Sequence, residues 1–155
     1  MVKTEARIWV QHRPIWSSGN HGSDERNWRH WLVPKLEALG INLVLAGHDH
    51  DYERFCPSVG IDELRRCTTN GITYIVSGGG ATVTVPLPNL SWKQSSNLKR
   101  HNDTQRVIFS DRAHYLHLEV IDKVLIVEAW TSDFIGHRQL FDRVKIPLNN
   151  ALFTR

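Results

Sequence analysis

The side chains in this sequence best suited to chemistry are the histidines His12, His21, His48 and His50. Neutral imidazole is a common ligand for zinc and iron, and it is also the side chain that titrates near neutral pH. His48 and His50 stand two residues apart just after an apolar run, a spacing that lets both approach a metal pair from one side. His12 ends another apolar run, and His21 follows within the polar segment Ser17-Ser18-Gly19-Asn20. A lone histidine is more often structural or at the surface than a ligand, and a metal-binding role for these four requires elements that bring them together.

Ala6 to Gln11 alternates with Ile8 and Val10 on one face, which predicts a strand delivering His12 to its tip. After the loop, Ser23 offers a helix N-cap, with Asp24 and Glu25 in the first turn. Trp28, Trp31, Leu32, Leu36 and Leu39 form one apolar stripe that Gly40 closes. Pro34 falls inside that stripe and either kinks the helix or separates a short first turn from a second segment. Asn42 to Gly47 reads as a strand buried on both faces, and Ile72 to Val76 as another, ending in Ser77-Gly78-Gly79-Gly80. This order of strand, loop, helix and strand puts histidines at strand C-termini, where ligand sites of open α/β sheets gather.

The expected organisation is thus a motif-bearing α/β part over residues 5–80, a long polar loop over 81–112, and terminal β segments over 113–148. Within the last part, His114 to Ile121, Val124 to Thr131 and Arg138 to Ile146 predict an antiparallel meander. A chain of 155 residues with 41% hydrophobic and 23% charged residues suits one globular domain. No apolar run approaches the roughly 20 residues of a spanning helix, and Met1 to Arg7 shows no apolar signal region. The net charge of +3 is spread along the chain, so nucleic-acid binding through Lys93, Lys99, Arg100 and Arg106, with Trp92 as the one aromatic, is not favoured. Cys56 and Cys67 flank a turn-forming stretch, which leaves both a disulfide and two separate thiols open.

Gly47-His48-Asp49-His50-Asp51-Tyr52-Glu53-Arg54 resembles the Gly-His-x-His segment of purple acid phosphatases and related calcineurin-like metallophosphoesterases. His12-Arg13-Pro14 resembles the upstream ligand segment of that family, and Gly71 to Gly80 resembles its glycine-rich segment. Trp9 departs from the aliphatic residue common three positions before the histidine, which bears on strand packing. The resemblance covers about residues 5–80. It implies the C-terminal half of a four-layer α/β/β/α sandwich and a binuclear metal centre of Fe with Zn, Mn or Fe. It also implies hydrolysis of phosphate esters, monoesters before diesters.

By the same resemblance, His12 and His48 bind one metal, His50 binds the other, and His21 is the catalytic, substrate-side histidine that contacts phosphate and protonates the leaving group. Asp49, Asp51 and Glu53 are not expected to be ligands, which leaves open the reading that they are solvated loop charges, with Arg54 a partner for one of them. The family's Asp-x-His or Asp-x-Gly, Gly-Asp-x-x-Tyr and Gly-Asn-His segments do not occur here. The chain by itself is therefore expected to be incomplete and inactive, with the missing N-terminal half of the domain as its partner. The other reading is a non-catalytic binding or structural module with vestigial ligands. The resemblance favours export of the parent, and Asn89-Leu90-Ser91 and Asn102-Asp103-Thr104 fit glycosylation acceptors.

Overall fold

A computed structural model describes residues 6–19, 27–56, 71–80, 106–110, 112–132 and 136–148. The strands are β1 (Ile8–Gln11), β2 (Leu43–Ala46), β3 (Tyr52–Phe55), β4 (Thr73–Ser77), β5 (Arg106–Ser110), β6 (His114–Ile121), β7 (Val124–Ser132) and β8 (Arg138–Pro147). Two short helices, α1 (Trp28–Trp31) and α2 (Val33–Ala38), lie between β1 and β2.

The first five strands form one sheet in the order β1-β2-β4-β3-β5. Strands β1, β2 and β4 run parallel, while β3 is antiparallel to both its neighbours. The second sheet is the meander β6-β7-β8, antiparallel throughout as the sequence predicts. Part of the stretch read as polar loop is therefore strand β5. Its run Val107-Ile108-Phe109 consists of β-branched and aromatic residues, and Val107 is buried. The residues Lys93, Lys99, Arg100, Asn89 and Asn102 lie outside the described residues.

Side-chain alternation along the central strands divides the interior into two layers. Val44, Phe55, Tyr74 and Val76 face Ile15, Trp16, Leu32, Val33 and Leu36 on the helical side. Leu43, Tyr52 and Ile75 face Leu125, Val127, Ala129 and Ile146 of the second sheet. The described part is thus helix on sheet on sheet. Burying faces of this kind stabilises by about 25 cal/mol per Å² of apolar surface removed from water.

Pro34 resolves the helix as two segments: α1 ends at Trp31, Leu32 forms the junction, and Pro34 sits in the first turn of α2, where its missing N–H costs nothing. The buried stripe narrows to Leu32, Val33 and Leu36, because Trp31 and Leu39 are 46% and 51% exposed. Gly40 closes α2 with φ of 63°, and two closing bonds, Gly40 N–H to Glu37 O at 2.9 Å and Ile41 N–H to Leu36 O at 3.0 Å, form a Schellman motif. Ser23 and the turn around it lie outside the described residues.

Strand β1 is an edge of its sheet and pairs with β2 alone among the described residues. Ile8, Trp9 and Val10 are 38%, 36% and 72% exposed, so the alternating pattern predicts the strand without burying it.

Two groups connect the layers. Tyr52 Oη donates to Asp142 Oδ2 at 2.6 Å, and Arg54 grips the same carboxylate through Nε at 2.7 Å and Nη2 at 2.9 Å. Arg54 therefore pairs with Asp142 on β8, and not with a carboxylate of its own loop as the sequence suggested. The reason is period two: Tyr52 and Arg54 point to the second sheet, and Glu53 points to the helical side. Burial, reinforced by Asp142, pushes the Tyr52 phenol well above its ordinary range, so it stays a neutral donor. For Arg54, burial opposes the charged form, but the Asp142 hydrogen bonds and charge outweigh it and the pKa rises. Cys56, which follows β3, is disulfide-bonded. The only other cysteine in the sequence, Cys67, lies outside the described residues.

Candidate functional site

The parallel pairing of β1 with β2 sets the position of the first two histidines. In register, Gln11 lies beside Ala46, and Gly47 N–H continues the ladder by donating to His12 O at 3.0 Å. His12 and His48 thus leave the C-terminal ends of adjacent parallel strands. Their rings meet edge to face, with centroids 4.9 Å apart and His48 Nδ1 3.1 Å from His12 Nε2. His48 holds φ of 71°, a left-handed conformation uncommon outside glycine and costing on the order of 1–3 kcal/mol. Strained backbone of this sort persists where its surroundings over-determine it.

Those surroundings are polar and buried. Asp49 and Glu53 are 1% and 0% exposed, and Asp51 is 8% exposed, so none of the three is a solvated loop charge. Ser17 Oγ hydrogen-bonds to Asp49 Oδ2 and lies 3.2 Å from Glu53 Oε2. Gly19 N–H donates to Ser17 Oγ at 2.9 Å, which leaves the hydroxyl proton for a carboxylate. Glu53 also receives Ser18 N–H at 2.7 Å and Ser18 Oγ. The solvated reading fails for Asp49 and Glu53 because they find their donors 32 to 36 residues earlier in the chain, and sequence spacing does not show that.

Glycine is required at two places around this cluster. A Cβ on Gly19 would run into the Asp49 side chain, and one on Gly78 into the Asp49 carbonyl. The segment after β4 therefore lies directly against the histidine turn, and Gly78 N–H donates to Asp51 O at 3.1 Å. Behind it stands His114, buried against Tyr52 and Phe141. Its Nδ1 contacts Arg112 O at 2.8 Å, so that nitrogen carries the proton, and Nε2 accepts from Ser77 Oγ at 3.0 Å. Burial lowers the His114 pKa, partly opposed by the Arg112 carbonyl.

The structure therefore joins His12 to His48. His50 is exposed, and no group of three or more His, Cys, Asp or Glu able to hold a metal occurs among the described residues. His21 lies outside the described residues. Asp49, Glu53, Ser17 and Ser18 are the participants that sequence reasoning missed. The alternation Tyr52-Glu53-Arg54-Phe55 is a strand signal, but it gives no sign of Ser17 and Ser18, which lie 32 to 36 residues before their partners.

No family model matches the chain. Over 83 residues it is 32% identical to the tartrate-resistant acid phosphatase type 5 of Oryctolagus cuniculus, a match covering 51% of this chain and 21% of that protein. The purple acid phosphatase PPD1 from yellow lupin (Lupinus luteus) seeds superposes with a TM-score of 0.63 at 23% identity, over 90% of this chain and 24% of that one. The chain is thus similar to purple acid phosphatases over about half of its sequence and in its fold. The same fold is found in GAP50, the anchor in the inner membrane complex of Plasmodium, with a TM-score of 0.65 at 19% identity, over 92% of this chain and 36% of that structure.

The chain thus spans about a fifth of the curated relative's length and about a quarter to a third of these solved structures. Purple acid phosphatases are binuclear metal proteins, and the histidine pair can be tested against that centre. Two nitrogens each about 2.0–2.1 Å from one ion at a roughly tetrahedral angle lie about 3.3 Å apart. The observed 3.1 Å is close to that separation, and it also suits a direct N–H···N bond between the rings. Two imidazoles match part of one ion's ligand set. The described residues do not by themselves fit a metal pair.

Proposed function

We propose that this chain supplies the His12–His48 side of a metal-dependent phosphoester-hydrolysing centre and that, by itself, it is catalytically inactive. The observation that carries this reading is the convergence of the two imidazoles to 3.1 Å at the ends of adjacent parallel strands. His12 and His48 would hold one ion of the centre. His50 would serve the other, and His21 would face the substrate and protonate the leaving group. Cations in such a centre acidify water and offset phosphoryl charge. The chain's own contribution is to fix the paired rings at a strand end, with backbone closed around them by Gly47 and Gly78. A phosphate monoester is the favoured substrate, and Fe with Zn, Mn or Fe the favoured metals. The carboxylates and the asparagine that complete the family's ligand set would come from the N-terminal half of the domain.

The test is to assay the purified 155 residues with an activated aryl phosphate and added zinc, iron or manganese, and to measure bound metal in parallel. The expected result is negligible turnover with weak metal binding that His48→Ala abolishes. Robust turnover lost in His48→Ala would overturn the claim of inactivity. Metal binding indifferent to both His12→Ala and His48→Ala would favour the second reading, a non-catalytic module. That reading draws support from the fold shared with GAP50, whose described role is that of an anchor.

A further inference from the structure

The left-handed His48 needs an explanation beyond its own side chain. An L-residue at φ of 71° tends to relax to negative φ unless its neighbours prevent it. The flanking residue Asp49 is held in three ways. Its N–H donates to Gly47 O at 2.9 Å, its carbonyl is pressed against Gly78, and its buried carboxylate is bonded to Ser17 Oγ. Ser17 is in turn kept in place by the neighbouring Ser18, which hydrogen-bonds through N–H and hydroxyl to Glu53 of β3, and by Ile15 and Trp16 in the core. Rigid strand, serine bridge and histidine turn thus form one continuous connection.

We propose that Asp49 is a positioning residue: its carboxylate, bonded to Ser17, holds the Gly47–Asp51 turn so that the His48 ring faces His12. The turn is tight and its strain is concentrated at His48, so loss of the carboxylate anchor frees it to relax. A relaxed turn swings the imidazole away from the end of β1. Asp49 acts through its hydrogen bond and not through charge at the histidines. An asparagine, which presents an oxygen acceptor of the same shape, therefore suffices. This goes beyond the functional reading above, and its test needs no metal, so failure of either is recognised separately.

The experiment is two-dimensional NMR on the metal-free folded chain. Two signals are followed: the cross-peak between the ring protons of His12 and His48, and the strong intraresidue amide-to-Hα cross-peak that marks positive φ at His48. Asp49→Ala and Ser17→Ala are expected to lose the ring-to-ring cross-peak and weaken the intraresidue one. Asp49→Asn is expected to keep both. Val127→Ala, a truncation in the other buried layer, serves as a control for general destabilisation and keeps both. If Asp49→Ala does not fold, Ser17→Ala carries the test, since it removes a single oxygen. Persistence of both signals in a folded Asp49→Ala or Ser17→Ala chain overturns the proposal. So does their loss in Val127→Ala, or equal loss in Asp49→Asn and Asp49→Ala.

Discussion

Replacing Asp142 by alanine should be among the most destabilising single changes outside the apolar core. Its carboxylate takes three hydrogen bonds, from Tyr52 Oη at 2.6 Å and from Arg54 at 2.7 and 2.9 Å. The Arg54 and Asp142 side chains are each 7% exposed, so solvent screens the pair little. Removing the acid leaves a buried guanidinium and a buried phenol without their acceptor, a change worth about 3–5 kcal/mol. For a domain of this size that corresponds to a fall in Tm of roughly 6–20 °C, at about 2–4 °C per kcal/mol. Urea titration gives the free energy directly, and the m-value should stay constant if the native state is otherwise intact. The joint replacement Arg54→Met with Asp142→Leu should cost much less than the sum of its parts, since neither charge is then stranded. If Asp142→Ala costs under about 1 kcal/mol, or the two single changes simply add, the pair is not a desolvated link between the sheets and the reasoning fails.

Two further outcomes follow from buried polar groups. The Tyr74 hydroxyl is buried without a hydrogen-bond partner among the described residues, and burial first, then Glu37, raises its pKa. Tyr74→Phe should therefore stabilise the chain by about 1 kcal/mol, read as a higher urea midpoint, and a lower midpoint would show that the hydroxyl has a partner. His114 has a lowered folded-state pKa, so the unfolded chain binds more protons there in mild acid. Its contribution to stability is full above the unfolded value of about 6.5 and declines as pH falls from there toward the folded value. His114→Gln should flatten that part of a stability-versus-pH curve, and an unchanged slope would refute the assignment.

Much of the frame was legible because local patterns and tertiary demands agreed. The apolar run Leu43-Val44-Leu45-Ala46 has nothing to do except fill a sheet covered on both faces, and the three terminal segments carry clear turns between them. Gly40 could be assigned its left-handed turn from its place after the stripe. Strand β3 was illegible for a physical reason. Its two central residues are charged, and their burial depends on Ser18 and Asp142, which lie 35 and 88 positions away. Strand β5 was hidden in the same way, as a short apolar run following a long polar stretch. Of the candidate site, the pairing of His12 with His48 follows from strand-end placement, but the carboxylate and serine cluster beneath it needed three dimensions. Sequence reading treats acids beside histidines as solvent-facing because an isolated buried carboxylate is costly, and the serines that remove that cost are remote.

The β1 edge, unpaired on its outer side among the described residues, has a consequence for how this polypeptide behaves in a tube. Its outer row of amides and carbonyls has no strand against it among the described residues, and Ile8, Trp9 and Val10 offer apolar cover to whatever arrives. An edge of that kind is a template for strand addition, and encounters between two such edges grow with the square of concentration. Yield and colloidal lifetime would then respond to changes in four residues, Ile8–Gln11, and not only to the net charge of +3.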